Sequence, residues 1–174
     1  MSLKTNRPGF YLPLILMVLV LLQARAGFAE PRVRIDLERE TQKKVSIAIT
    51  DFVLKGSTTD LIGIGKEAKK ILERDLKLSE WFGPLQKQIF GELEEMERST
   101  SELDYRSWRQ MGAQWLIKTE YSVLGNGKGQ SFTFRLYDVV NKRFLLGKRY
   151  KASRDLFRKT LHRFADEVVM QLTG

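Results

Sequence analysis

The sequence predicts an α+β fold in which helices pack on one face of a mixed, mainly antiparallel sheet, as a single domain after a signal peptide. Two observations predict this class. The spacing of apolar residues switches between the period of two that is typical of strands and the helical period of 3.6. In addition, three strand-like segments follow one another within residues 114–151, and a long amphipathic helix closes the chain. The length of 174 residues suits one domain rather than two.

The start of the chain has the three-part pattern of a secretory signal peptide. Lys4 and Arg7 form a basic beginning, residues 10–22 are almost wholly apolar, and small residues precede the predicted cleavage point. The apolar run is shorter than the roughly 20 residues that a membrane-spanning helix needs. We therefore expect cleavage between Ala29 and Glu30 and an exported protein.

The chain is basic, with 30 Lys and Arg against 21 Asp and Glu, which by itself would suit a nucleic-acid partner. Acidic and basic residues are interspersed, however, as in residues 66–70, and this mixture is typical of a solvated surface. An exported protein also meets little nucleic acid, so we expect no such partner. Zero Cys and one His exclude disulfides, thiolate metal sites and multi-histidine metal sites.

Two strand-like segments open the mature chain. Residues 32–38 alternate strictly, with Val33, Ile35 and Leu37 on one side and polar residues on the other. This segment is either an edge strand of the domain's own sheet or an arm that adds a strand to a partner's sheet, and both interpretations stay open. Residues 45–53 are mostly apolar and β-branched, which favours a strand covered on at least one face.

Helical spacing of apolar residues predicts a helix over 61–78 and a closing helix over 154–172. Residues 86–98 are ambiguous between a weak helix and an ordered loop. Residues 99–102 fit a helix start, and a short helix is expected over 104–111. Between the short helix and the closing helix, the strand candidates form an antiparallel meander; they cover residues 114–123, 131–139 and 144–151.

Two groups of residues could carry chemistry, and for both the structural interpretation is favoured. Four acids in the ambiguous segment lack a second ligand cluster, so we expect a solvated helix face rather than a metal site or an acid/base pair: Glu92, Glu94, Glu95 and Glu97. His162 lies four residues before Asp166 on the closing helix, which favours a structural His–Asp pair because no nucleophile stands beside them. The sequence thus predicts no catalytic residue, no metal and no cofactor.

The order and spacing of several segments resemble the N-terminal domain of TolB, the periplasmic component of the Tol–Pal system of the cell envelope. The matching segments are 33–37, 71–85, 108–114, 136–139 with 145–150, and the closing helix with its terminal 172–174. Two positions depart from the family, which tends to carry Pro where this chain has Lys44 and Asp51. The resemblance divides the chain into a signal peptide (1–29), an N-terminal arm or edge strand (30–43) and a TolB N-terminal-like domain (44–174).

The resemblance implies an α+β fold and a non-enzymatic role in outer-membrane integrity and constriction at division. It also implies that the mature N-terminal segment binds a TolA-like inner-membrane protein. Carried onto this sequence, the partner-binding residues are Glu30, Pro31, Arg32, Val33, Arg34, Ile35, Asp36 and Leu37. The family's β-propeller, which contacts the lipoprotein Pal, follows directly after the Leu-Thr-Gly with which this sequence ends at Gly174. Contact with a Pal-like lipoprotein is therefore not expected from this chain alone, and a separately encoded propeller chain is an open alternative.

Two other functions stay as alternatives to a Tol–Pal interaction module. The first is a periplasmic accessory domain that regulates envelope assembly, either at a cell-wall synthase or at a secretion channel. The second, less favoured, is a small hydrolase that uses His162.

Overall fold

The computed structural model describes residues 44–56, 63–100, 102–124 and 129–174. These residues form a mixed sheet of six strands and four α-helices, so the predicted α+β class is confirmed. The predicted signal peptide, the arm at 30–37 and most of the loop after the first meander strand lie outside the described residues. Within the described part of the chain, no helix combines the length and the apolar character needed to cross a membrane.

The strands are β1 (Val45–Ile49), β2 (Val53–Leu54), β3 (Phe82–Pro84), β4 (Trp115–Leu124), β5 (Gly129–Asp138) and β6 (Arg143–Ser153). Their order is β3-β1-β4-β5-β6, and β2 pairs with β4 beyond the end of β1. The pairings of β1, β2 and β3 are parallel, whereas β4, β5 and β6 form the predicted antiparallel meander. The expected strand over 45–53 is broken in two. The strand β3 was not predicted because it has only three residues, two of them a Gly-Pro pair, and so shows no periodicity.

The helices are α1 (Ile64–Leu78), α2 (Lys87–Thr100), α3 (Tyr105–Gln110) and α4 (Phe157–Thr173), the last preceded by a 3₁₀ turn at Arg154–Leu156. The ambiguous segment 86–98 is therefore helical. The helix start predicted at 99–102 is wrong, because α2 continues through Ser99 and Thr100. The true N-cap of α3 is Asp104, whose carboxylate accepts the backbone N–H groups of Arg106 and Ser107.

One face of the sheet, called here the apolar face, is covered by α1 and α4. Its core contains Ile47 and Ile49 of β1 and the alternating Phe132, Phe134 and Leu136 of β5, all of them buried. Aromatic rings stack through this core: the ring centroids of Phe134 and Phe164, on α4, lie 4.0 Å apart. The predicted stripe of the closing helix accounts for this packing.

The opposite face, called here the mixed face, is covered by α2 and α3. Ala48 of β1 and Leu116 of β4 point to this side and contact a smaller core that includes Phe90, Leu93 and Trp108. The expectation that helices cover a single face is therefore wrong. Ile47, Ala48 and Ile49 are all buried, so β1 is covered on both faces.

The direction of the crossovers explains why the helices divide between the two faces. The chain leaves β1, passes through α1 and enters β3 on one side of β1. It then passes through α2 and α3 and enters β4 on the other side. Because parallel crossovers are right-handed, two that run in opposite directions along a sheet place their helices on opposite faces. Amphipathic periodicity shows that a helix is one-sided, but it does not show which side of the sheet it covers.

Candidate interaction site

Asp51, in the break between β1 and β2, is the centre of an ion-pair network at the carboxyl end of β1. One carboxylate oxygen accepts a hydrogen bond from Lys69 of α1 at 2.8 Å, and the other accepts one from Lys87 of α2 and lies 3.5 Å from Arg98. Partial burial raises the pKa of Asp51, but the hydrogen bonds from Lys69 and Lys87 outweigh it and bring the pKa from 3.8 to about 2. Asp51 therefore joins α1 and α2, which lie on opposite faces of the sheet.

Glu94 extends the network on the mixed face. Its Oε1 accepts the backbone N–H of Asp51 at 2.8 Å and a hydrogen bond from Arg98, also at 2.8 Å. Its side chain is only 4% exposed. Glu94 thus satisfies a backbone donor that the break between β1 and β2 leaves without a strand partner.

Glu97, one turn further along α2, is the centre of a second buried group. Its Oε1 accepts from the indole N–H of Trp108 and from the backbone N–H of Asp104, each at 2.8 Å. Its Oε2 accepts from Lys118 of β4 at 2.6 Å. This carboxylate ties α2 to α3 and to the central strand of the sheet.

The sequence predicted that all four acids lie on a solvated helix face. This prediction is correct for Glu92 and Glu95, which are exposed, and wrong for Glu94 and Glu97, which are buried. The sequence did contain a signal for the buried pair. Phe90, Leu93, Glu94 and Glu97 have the spacing i, i+3, i+4, i+7, so the acids continue the apolar stripe of α2. Each buried acid has a cation from this chain, and the described residues contain no group of acids or His that could hold a metal ion.

His162 is paired, but with a different residue from the one predicted. Its Nδ1 lies 2.5 Å from the carboxylate of Asp75 on α1, and Asp166 is not in this contact. The sequence favoured Asp166 because that residue lies one turn away on the same helix. The structure instead pairs side chains across the contact between α1 and α4, which periodicity within one helix does not reveal. The result is a structural link between two helices.

A groove of about 1110 Å³ runs along α1, on the side away from α4. Its second wall is the chain from Phe82 to Gln88, which contains the edge strand β3. Seven Lys and Arg side chains line the groove against two acids, Asp51 and Glu73. Sequence reasoning missed this feature, because the charges along α1 look interspersed when read in order and separate only when the helix is formed.

The predicted partner-binding residues 30–37 and the cleavage point at Ala29 lie outside the described residues, so the structure does not place them beside either feature. The described residues form a small α+β domain with two apolar cores and several ion-paired carboxylates, and with a basic groove beside its edge strand. The arrangement defines the class as a small α+β domain in which His162, Glu94 and Glu97 pair with other side chains of the same domain.

Comparison with known proteins identifies the family to which this domain belongs. Residues 33–145 match the model of the TolB amino-terminal domain, and the chain belongs to that family. The protein named Tol-Pal system protein TolB from Syntrophotalea carbinolica is 34% identical over 164 residues, which cover 92% of this chain and 36% of the relative. Its namesake from Rickettsia prowazekii is 29% identical over 140 residues, covering 80% of this chain and 30% of the relative. The chain thus spans about a third of the length of these relatives.

Two solved structures show the same fold. TolB from Acinetobacter baumannii superposes with a TM-score of 0.55 at 19% identity, covering 75% of this chain and 29% of that one. The hypothetical protein CT253 from Chlamydia trachomatis gives a TM-score of 0.53 at 11% identity, covering 75% of this chain and 99% of that one. At these identities the likeness concerns the fold alone.

Proposed function

We propose that this chain is a non-enzymatic, periplasmic protein-interaction module of the Tol–Pal type, which supports outer-membrane integrity and envelope constriction at cell division. The observation that carries the proposal is membership of the TolB amino-terminal family over residues 33–145, a stretch that includes most of the proposed arm. The relatives that share this stretch are named Tol-Pal system proteins. The commitment of His162 and the buried acids to structural contacts supports a role without catalysis.

The proposed contact is between residues 30–37 and a TolA-like inner-membrane protein. The strict alternation of Val33, Ile35 and Leu37 with Arg34 and Asp36 suits a strand that adds to the edge of a partner's sheet, because alternate side chains then enter the partner's pockets. Contact with a Pal-like lipoprotein is assigned to a β-propeller, whether on the same polypeptide or on another one.

The test is binding of the purified mature chain to the periplasmic part of a TolA-like protein, measured by calorimetry. Deletion of residues 30–37 is expected to abolish binding while the far-ultraviolet circular dichroism and thermal midpoint stay unchanged. Retained binding after the deletion would refute the role of the arm.

A matched pair of triple variants tests the strand-addition mode. The first variant, Val33→Ser, Ile35→Ser, Leu37→Ser, removes the apolar side chains of the arm. The second variant, Arg34→Ser, Asp36→Ser, Glu38→Ser, keeps the apolar side chains and removes the charged ones. We expect the first variant to lose at least about tenfold in affinity and the second to lose much less, because apolar anchors contribute most of the energy of such contacts. Equal losses in the two variants would contradict an alternating, one-sided contact.

The cellular role is tested by deleting the coding sequence and scoring outer-membrane leakage and constriction at the division site. Capture of partners from the periplasm gives the second readout. We expect leakage, delayed constriction and recovery of Tol components. Recovery of cell-wall synthases or secretion-channel subunits in their place, with normal constriction, would overturn the Tol–Pal assignment.

A further inference from the structure

The basic groove along α1 is built by helical periodicity. Lys66, Lys70 and Arg74 are spaced four residues apart, and Lys77 follows on the same side; all four are exposed and line the groove. Cations at i and i+4 repel each other and destabilise a helix. Glu67, the acid next in sequence, does not relieve this repulsion, because it lies 2.7 Å from Arg158 of α4 in an ion pair on another side of the helix.

Most of the charge in the groove has no counter-ion within the described part of the chain. Lys69 and Lys87 pair with Asp51, and Arg74 lies 3.5 Å from Asp75. Lys44, Lys66, Lys70 and Lys77 pair with no carboxylate that the structure describes. The groove therefore concentrates positive charge on a concave surface, which raises the local concentration of anionic groups.

The shape of the groove selects among anions. The helical row from Lys66 to Lys77 spans about 16 Å at 1.5 Å per residue, which equals about five residues of an extended peptide. Apolar residues line the same groove: the half-buried Pro84 and Leu85, and the buried Phe52 and Phe82. A small inorganic anion would leave most of this length empty, and a flat lipid surface cannot enter a concave groove.

The position of the groove in the fold supports a binding role. Asp51 follows β1 and Leu85 follows β3, so one end of the groove lies at the carboxyl ends of two parallel strands. The crossovers from this pair of strands run in opposite directions to opposite faces of the sheet. In sheets of this kind, ligands bind outside the carboxyl ends of the strands, next to the point where the direction reverses.

We propose that this groove binds an extended acidic peptide segment of another protein, with carboxylates on the Lys and Arg row of α1 and one apolar side chain against Pro84 and Leu85. The site shares no residue with the proposed arm at 30–37, and the proposal does not depend on the contact with a TolA-like protein. The chain's own arm is a poor occupant by charge, because residues 30–43 contain equal numbers of acidic and basic residues.

The test uses the full mature chain and a short fluorescein-labelled peptide of alternating aspartate and glutamate with one central phenylalanine. A counterpart with every acid replaced by its amide is the control peptide. Fluorescence anisotropy should report binding of the acidic peptide, weakened by added salt, and none of the amide peptide. Equal binding of the two peptides would overturn the proposal.

Matched variants then locate the site. The variant Lys66→Gln, Lys70→Gln, Arg74→Gln should weaken binding about tenfold, since each exposed contact adds a modest increment. The control variant Lys151→Gln, Arg154→Gln, Lys159→Gln removes the same charge at exposed positions outside the groove and should change affinity by less than about twofold. Equal weakening in both variants would mean attraction to net charge and would refute the site. Circular dichroism checks that each variant is folded. If the triple variant unfolds, the single charge reversal Lys70→Glu replaces it and should weaken binding of the acidic peptide in the same way.

Two competitors test other occupants. Displacement of the acidic peptide by a synthetic peptide of residues 30–43 would assign the groove to the chain's own arm. Vesicles of phosphatidylglycerol that bind through Lys66, Lys70 and Arg74, while the acidic peptide does not bind, would assign it to a membrane surface. Either result would overturn the proposed occupant, and failure of both competitors alongside groove-dependent peptide binding would support it.

Discussion

On the face of the sheet covered by α1 and α4, stacked aromatic rings fill the core, whereas the face covered by α2 and α3 contains two buried carboxylates beside a smaller apolar cluster. Phe132, Phe134 and Phe164 contact one another on the first face. On the second face Glu94 and Glu97 are 4% and 5% exposed and accept several hydrogen bonds each. The two faces are therefore stabilised differently: by removal of apolar area from water on one, and by ion pairs and hydrogen bonds to buried carboxylates, beside a smaller apolar cluster, on the other.

The difference teaches which kind of substitution each face is sensitive to. The stacked phenylalanine rings of the first face carry no charge, so their packing depends mainly on how well the side chains fill the space. The carboxylates of Glu97 and Glu94 pair with Lys118 and Arg98, so removal of either partner leaves a charge unpaired. Variants that alter volume should act on the apolar face, and variants that alter charge on the mixed face.

The largest effect is expected from Phe134→Ala, which would open a cavity in the centre of the apolar face. Phe134 is fully buried and stacks on Phe164. Loss of a buried ring should lower the free energy of unfolding by about 4 kcal/mol, measured by urea denaturation. Phe144→Ala is the control, because the Phe144 side chain is 56% exposed and should cost less than about 1 kcal/mol. Equal losses would deny that the aromatic stack is the core of this face.

The second largest effect on the free energy of unfolding is expected from Glu97→Gln, a substitution on the mixed face. This change keeps the shape but leaves Lys118 without its carboxylate, and Lys118 is 29% exposed. We expect the free energy of unfolding to fall by about 2 kcal/mol, because a partly buried cation is left unpaired. Glu95→Gln, at a side chain 72% exposed, should change it by less than about 0.5 kcal/mol. A similar result for both glutamates would remove the contrast between the two faces.

The third largest effect is expected in the pH dependence of stability, to which Asp51 contributes. Its pKa falls from 3.8 to about 2 on folding, so its contribution is complete above the unfolded pKa and disappears as pH falls from about 4 towards 2. Because the side chain is 34% exposed, water screening limits this contribution to about 1 kcal/mol.

Denaturation of the wild-type chain and of Asp51→Asn across this range isolates the contribution of Asp51. The variant should show a shallower loss of stability with acid than the wild type does. Lys69→Met removes the pairing cation and should flatten the curve in the same way. An unchanged acid slope in Asp51→Asn would mean that other carboxylates account for the whole dependence.

The smallest effect is expected at the rim of the apolar face, where His162 meets Asp75. A double-mutant cycle of His162→Gln with Asp75→Asn should give a coupling energy of about 0.5 kcal/mol, since His162 is 44% exposed. The matched cycle with Asp166→Asn should give none. Coupling to Asp166 instead would restore the pair predicted from the sequence and contradict the contact across the two helices.

Much of the fold followed from the sequence because its signals are local. The stripe of Phe157, Leu161 and Phe164 predicts α4, and the alternation of Phe132 and Phe134 predicts β5 as half of a meander. By contrast, β3 is too short to show a period. The break at Thr50 to Phe52 was missed because Thr50 and Phe52 suit a strand and only Asp51, between them, departs from that pattern.

The candidate site was only partly predictable, for a related reason. The i, i+3, i+4, i+7 spacing already placed Glu94 and Glu97 on the buried stripe of α2, but composition suggested a solvated acidic face. The partner of His162 and the hydrogen bonds to Asp51 come from other elements, and no spacing within one element encodes them. The basic row of α1 is apparent only in the folded helix. There Glu67 lies beside Arg158, whereas Lys66 and Lys70 line the groove.

By itself, the sequence determined the α+β class, the amphipathic helices, the meander and the resemblance that the family match supports, because these depend on neighbours a few residues apart. The tertiary structure decided that the helices cover both faces, that Asp51 joins α1 to α2, and that charges interspersed along the chain separate into a basic groove. The physical reason is that burial and ion pairing act between elements distant in sequence, and their partners are chosen by the handedness of crossovers and by packing.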